Sequence, residues 1–306
     1  MLPSTELELG SLASAVEKIP PPSLQTVATG RDRAQGYMLH LIRNEKVNGV
    51  KRKIGPGILK ALHRETLFYY PGWAGHYRVD DRTRIGGVEG RRLVKAEDLE
   101  KKGHLFECWL EREVDLLREE PENLYGALRV AAAAHYGVVG ELHPFDDGNG
   151  RVARTLANGI LMMNTREGFF HGFYIIPVPL LRDSIDIDNI VKLLVEGREP
   201  KLAPYLQSLV DVDKSWKLNP FEIYLASKWI DSINELLIGL EGKYKKTKGD
   251  KNWKQRLNDT ERDLVDKIME RRRRLFAFIE ANRSGNYPAD PVPDFFALQH
   301  MRVDKA

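Results

Sequence analysis

Cysteine is nearly absent: Cys108 stands alone among 306 residues. No internal disulfide can form, which excludes a disulfide-stapled secreted scaffold, and a multi-cysteine zinc site goes with it. Long apolar runs are also missing. The longest unbroken stretches, such as 130–134, fall far short of the roughly 18 residues a membrane-spanning helix needs, so no membrane span is expected. Nor is there an excess of one charge. A formal net charge of +3 is too small to argue by itself for nucleic acid. The first residues carry Glu6 and Glu8 without a basic-then-apolar order, so no secretion signal is expected. What is present is ordinary. Hydrophobic residues at 42% and charged residues at 30% describe a globular chain rather than a disordered one. The length suits one large domain or two smaller ones, and the expected setting is cytoplasmic.

Three consecutive prolines, Pro20 to Pro22, break any helix in a loose N-terminal segment, residues 1–30, in which 9–19 could form one short helix. Ala34, Tyr37, Met38, Leu41 and Ile42 then recur at helical spacing, and a second helix is predicted over 57–68. Pro71, Gly72 and Gly75 end helical order. Residues 76–94 carry turn signals at Asp80-Asp81 and Gly86-Gly87 between short runs of β-formers, which predicts a small β-hairpin or extended flap. Helix returns at Leu99. The stretch 124–139 is apolar almost all round, as befits a helix at the centre of a helical domain. A polar, glycine-rich interruption follows, then a helix with Val152, Leu156, Ile160 and Met163 facing inward. Helical segments are predicted near 189–196 and 202–210, from Pro220, and from about Thr260, with a lysine-rich linker at 243–256 between the last two. The predicted fold class is mostly α, with a weakly marked boundary near 212–218.

The segment that carries chemistry is HPFDDGNGRVAR, His143 to Arg154. Gly148, Asn149 and Gly150 lie where a buried helix has ended and a new one starts. Glycines let backbone N–H groups converge, and the new helix adds its unpaired N–H groups and the positive end of its dipole, which together suit phosphate. Arg151 and Arg154, three apart, project from one face of the first turn and can grip phosphate oxygens in two-pronged fashion. Asp147 is a single carboxylate beside that cradle, the usual protein share of a Mg²⁺ site. His143 at the entrance could take a proton from an attacking hydroxyl. These are the parts needed to transfer a phosphate-containing group.

The segment resembles the signature of the Fic family (filamentation induced by cyclic AMP), His-x-Phe-x-Asp/Glu-Gly-Asn-Gly-Arg-x-x-Arg. His143, Phe145, Asp147, Gly148, Asn149, Gly150, Arg151 and Arg154 meet every fixed position. The lead-in AAHYGVVGELHPF looks like the family's central helix, and PGWAGHYR followed by RIGG resembles its Pro-Gly-x-Tyr/Phe-Arg segment and flap. The likeness covers roughly residues 31–210. It implies a Fic-type helical domain over 31–212 with a β-hairpin flap above the site and a helical C-terminal extension over 213–306. It further implies a protein adenylyltransferase that moves AMP from Mg²⁺–ATP to a Ser, Thr or Tyr hydroxyl of a target protein. By matching position, His143 is the general base and Asp147 the Mg²⁺ ligand. Gly148, Asn149, Gly150, Arg151 and Arg154 bind phosphate, Phe145 anchors the loop, and the flap at Thr83, Arg84, Ile85, Gly86 and Gly87 pairs with the target. Gly148 and Gly150 are intact, unlike the kinase-like branch resembling the Doc toxins, which favours nucleotidyl over phosphoryl transfer. Donors delivering UMP, GMP or phosphocholine stay open, as do a homodimer and delivery into a host cell as a toxin or effector.

The family's inhibitory Ser/Thr-x-x-x-Glu-Gly/Asn has no full match. Ser4 leads to Glu8 but then Leu9, Ser184 leads to Asp188, and Glu280 has Phe276 in place of Ser/Thr. Inhibition by a separate antitoxin-like protein, its absence, or a diverged motif all remain open. His63 and His76 lie near the flap and are secondary candidates for touching substrate, while Asp146 reads as a solvated loop residue and His135 as a core residue. Cys108 beside Trp109 reads as packing. The run KYKKTKGDKNWKQR has seven positive residues against one Asp, and Arg271 to Arg274 add four. A solvated linker and exposed helix face is favoured over a surface for nucleic acid, an anionic membrane or a partner, though Trp253 keeps an interaction or adaptor role in view.

Overall fold

The computed structural model describes residues 23–42, 46–47, 50–51, 53–81, 93–120, 122–163, 204–244 and 252–295. The helices predicted at 9–19 and 189–196 and the flap residues Thr83 to Gly87 lie outside the described residues. The architecture is mostly α. Helix α1 (Leu24–Ile42) is followed by a two-residue antiparallel ribbon, β1 (Lys46–Val47) and β2 (Val50–Lys51), and then by α2 (Ile58–Thr66), α3 (Leu99–Glu119) and α4 (Leu124–Tyr136). After the motif come α5 (Asn149–Met163), α6 (Pro204–Ser215), α7 (Asn219–Tyr244) and α8 (Asp259–Arg283). The ribbon at 46–51 has no counterpart in the sequence prediction.

Helix α4 is the central element. Ala127, Leu128, Ala131 and Ala134 are fully buried, and α5, α7 and α3 pack around them. Small alanine side chains allow that close approach from several sides. Helix α5 in turn covers α1 and α2 through Val152, Leu156 and Ile160, all with no exposed surface. Helix ends follow local chemistry. Asn123 caps α4 by accepting from the Gly126 N–H at 2.8 Å, and Asn258 and Glu261 form a reciprocal capping box at α8.

The C-terminal helices share the apolar core with α4 and α5. Trp253, predicted as part of a solvated linker, is instead buried in a small satellite core with Leu257 and Val265, against α7 and α8. The arginines of α8 are engaged within the chain. Arg271 lies over the Trp229 ring at 5.2 Å, and Arg272 Nε donates to Asn234 at 2.7 Å. Arg273 pairs with Glu270 at 2.7 Å, and Arg274 donates to the Glu122 carbonyl at 2.9 Å. Among the described residues, no helix is long and apolar enough to cross a membrane.

Candidate active site

The site is built on a chain of supports that starts outside the motif. Glu107 of α3 is buried, and its two carboxylate oxygens accept from the Gly57 and Leu59 N–H groups at 2.7 and 2.9 Å. It thus caps the start of α2 from another helix, where no local side chain does so. Burial pushes this carboxyl above its usual range, against the pull of those two donors. Helix α2 then presents His63. Its Nδ1 accepts from the Gly75 N–H at 2.8 Å, which leaves Nε2 as the protonated nitrogen, 3.1 Å from the Asp147 carbonyl. The ring stacks flat on Phe145, with centroids 3.8 Å apart and planes 3° from parallel. Burial lowers the His63 pKa to about 4, so the strut is neutral. His63 is 1% exposed and braces the motif from beneath, which is a different role from touching substrate. His76 is exposed.

The predicted α-helix over 124–139 ends at Tyr136, and the chain widens into a π-turn over Gly137–Leu142. The His143 N–H donates five residues back to the Val138 carbonyl at 2.9 Å, the π spacing. His143 itself is left-handed, at φ 41° and ψ 58°. Its Nδ1 lies 3.1 Å from the Val139 carbonyl, so Nδ1 must be the donor, and in the neutral ring the lone pair then resides on Nε2. That tautomer suits a general base. Arg78 holds this geometry from behind. Its side chain is 1% exposed, its Nε donates to the His143 carbonyl at 2.9 Å, and the rest of its fork reaches the Asp80 and Val94 carbonyls and the Asp81 carboxylate. The Arg78 N–H donates to the Pro144 carbonyl at 2.8 Å and the Val94 N–H to Glu141 at 3.1 Å. Both ends of the segment predicted as the flap are therefore pinned beside His143.

Asn149 closes the loop. Its Oδ1 accepts from the Phe145 N–H at 3.0 Å and its Nδ2 donates to the Phe145 carbonyl at 2.6 Å, both in the buried interior. The pair of contacts fixes the amide's orientation. Asn149 is the first residue of α5, so its side chain shapes the loop and its backbone N–H belongs to the helix start. Gly148 has φ +84°, a turn that favours glycine, and a Cβ there would stand 3.2 Å from His63 and crowd the strut. A Cβ on Gly150 would stand 3.0 Å from Arg154 Nη1: the absent side chain lets that guanidinium lie along the first turn. Helix start, positive-φ glycine and two arginines make a corner whose chemistry suits an anion.

Asp147 Oδ1 accepts from the Gly148 N–H at 2.6 Å, and Oδ2 pairs with Arg151 at 2.5 Å. Arg151 also donates to the Tyr69 hydroxyl at 2.8 Å. Burial works against the Arg151 charge, but Asp147 and Tyr69 outweigh it and hold the guanidinium protonated more firmly than in water. The Asp147 side chain is 57% exposed. A lone, accessible carboxylate at the mouth of a phosphate cradle fits Mg²⁺, which keeps several waters and takes its remaining ligands from phosphate. Among the described residues, no group of three or more His, Cys, Asp and Glu side chains gathers to hold a metal, so Asp147 would be the protein's share.

Of the motif residues singled out in the sequence, Asp147 pairs with Arg151 and Gly150 adjoins Arg154 at the start of α5, while His143 ends the π-turn that precedes the loop. Phe145 is fully buried, as an anchor should be. Asp146 is exposed but accepts from the Trp73 indole at 3.0 Å, which ties the loop to the 70–75 turn. His135 is buried with Nε2 3.1 Å from the Tyr205 hydroxyl and no partner on Nδ1 among the described residues, and burial keeps it well below the usual histidine range. Cys108 is partly exposed with His104 at 3.6 Å. Of the supports, Tyr69 escaped the sequence altogether; His63 was singled out for a different role, and Trp73 and Arg78 were seen only as members of the PGWAGHYR segment.

Residues 54–161 match the Fic/DOC family profile. The chain is similar to the "Protein adenylyltransferase Fic" of Nematostella vectensis, 41% identical over 109 residues, covering 35% of this chain and 22% of that protein. A protein of the same name from Culex quinquefasciatus is 46% identical over 105 residues, covering 34% and 19%. One from Drosophila grimshawi is 30% identical over 162 residues, covering 49% and 30%. The chain thus spans between about a fifth and a third of the curated relatives it matches.

Proposed function

We propose that this chain, whose residues 54–161 constitute a Fic domain, transfers AMP from ATP to a hydroxyl side chain of a target protein. The observation that carries the reading is the tautomer lock on His143 beside the cradle. The Val139 carbonyl commits Nδ1 to donating, so in the neutral ring Nε2 carries the lone pair that a general base needs, which supports His143 in that role. The names of the relatives support adenylyl as the transferred group.

In this reading the target hydroxyl oxygen attacks the α-phosphorus and gives its proton to His143 Nε2. The bond from the α-phosphorus to the bridging oxygen breaks, and pyrophosphate leaves with the electron pair. The first N–H groups of α5 and the guanidinium groups of Arg151 and Arg154 orient the phosphates and stabilise their charge. Mg²⁺, held by Asp147, would supply further charge neutralisation when bound. Arg78 and His63 keep the base and the cradle at fixed separation. In this reading the segment predicted as the flap, 83–87, pairs with the target's backbone, as the resemblance to the family's flap implies.

Incubation with Mg²⁺ and ATP labelled on either the α- or the γ-phosphate, with acceptor proteins from a lysate, tests this. Label from the α position alone should reach protein. Transfer of the γ label would instead establish phosphorylation. Competition by unlabelled UTP, GTP and CDP-choline decides the donor, and mass spectrometry of the product identifies the modified side chain.

A further inference from the structure

We propose that Tyr69 is a positioning residue for Arg151: its hydroxyl holds the guanidinium in the phosphate-binding plane when Asp147 turns to a cation. The inference rests on the nucleotidyl-transfer reading and deepens it. Two partners fix Arg151 in the ligand-free chain, the Asp147 carboxylate and the Tyr69 hydroxyl. They are not equivalent. Asp147 is largely exposed and is the carboxylate a divalent cation would draw away, whereas the Arg151 side chain is only 20% exposed. Once Asp147 is committed elsewhere, Tyr69 becomes the contact that keeps the guanidinium from rotating. A hydroxyl is also the right chemistry for the task. It orients one of five N–H donors without neutralising the positive charge, so the remaining donors and the full charge face the phosphate.

Tyr69 is itself well held. It follows α2, meets Phe68 edge-on at 5.4 Å and 81° and Tyr70 at 4.8 Å and 64°, and packs near Gly30 of α1, where an added Cβ would come within 3.5 Å of its ring. Those contacts belong to the ring, so Tyr69→Phe keeps them and removes only the hydroxyl. Because Asp147 still pairs with Arg151 in the ligand-free chain, the substitution should leave folding stability nearly unchanged and act on phosphate affinity.

Calorimetric titration of the full chain with ATP and with inorganic pyrophosphate, both in Mg²⁺, tests this on wild type, Tyr69→Phe, Arg151→Ala and the double variant. Losing a charge-assisted orienting bond should weaken both ligands by about five- to tenfold in Tyr69→Phe. The urea midpoint should not move, and Tyr69→Phe should add no further loss on the Arg151→Ala background. Equal ATP affinity in wild type and Tyr69→Phe overturns the inference. So does a loss that persists in full without Arg151, since Tyr69 would then act by another route. A wild-type chain that binds neither ATP nor pyrophosphate overturns the nucleotide reading, and the inference falls with it.

Discussion

Asn149 is where the motif's shape is most exposed to a single substitution. Its amide accepts from the Phe145 N–H at 3.0 Å and donates to the Phe145 carbonyl at 2.6 Å, and it is 3% exposed while Phe145 has no exposed surface. Asn149→Ala removes both partners at once and leaves a buried donor and a buried acceptor of one residue unsatisfied. Each such orphan costs about 1–3 kcal/mol. The expected destabilisation is therefore about 2–6 kcal/mol, a large share of a typical domain's stability. Alanine retains the backbone N–H of residue 149, so the phosphate donor itself survives and any loss of ligand affinity reports the loop's shape. Urea unfolding at fixed pH gives the stability change, and titration with pyrophosphate gives the functional one. Both should fall together. A stability loss below about 1 kcal/mol would refute the clamp, because two buried backbone groups cannot lose their partners that cheaply.

Two further outcomes follow from the buried polar groups. Arg78→Lys puts one ammonium where a fork reached the His143, Asp80 and Val94 carbonyls, and should cost about 2–4 kcal/mol by urea unfolding, with a larger fractional loss in transfer rate than in ATP affinity. Glu222 of α7 is 1% exposed, neither of its oxygens has a hydrogen-bond partner among the described residues, and burial, with the Asp290 charge nearby, raises its pKa from 4.5 to about 8. A folded pKa above the unfolded one contributes stability that is complete below the unfolded value and is lost as pH rises through the folded one. Glu222→Gln should thus match wild type near pH 4.5 and gain on it by about 1.4 kcal/mol per pH unit up to about pH 8, then level off. A difference that does not change with pH would contradict the burial of an unpaired acid.

Much of this was legible in the residues. The helices around Met38, Leu62, Ala131 and Ile160 declare themselves by apolar spacing, because each buries one face or its whole surface in a single core. The motif was legible because its chemistry is local: base, carboxylate, glycines and arginines sit within twelve residues. What failed to show was whatever depends on distant pairing. His63 is 84 residues from the Asp147 carbonyl it supports, and Tyr69 is 82 from Arg151. No periodicity marks a histidine or a tyrosine for such a partner. The π-turn after Tyr136 was missed because Gly137, Val138 and Val139 continue the apolar pattern of α4, while the turn is fixed by the bonds of His143 to Val138 and Val139. Trp253 was taken as solvated because the lysines around it dominate the composition, whereas its burial needs two helices, α7 and α8.

The central claim is that His143 takes the proton from the incoming hydroxyl. His143 occupies a left-handed conformation, which asparagine tolerates better than alanine, so His143→Asn alongside His143→Ala separates loss of the base from backbone strain. The most direct measurement is the rate of α-label transfer from ATP to protein in both variants, with ATP affinity measured in parallel. Transfer should fall by about 10²–10⁴-fold in each while ATP binding is retained. Transfer at the wild-type rate in either variant would contradict the account.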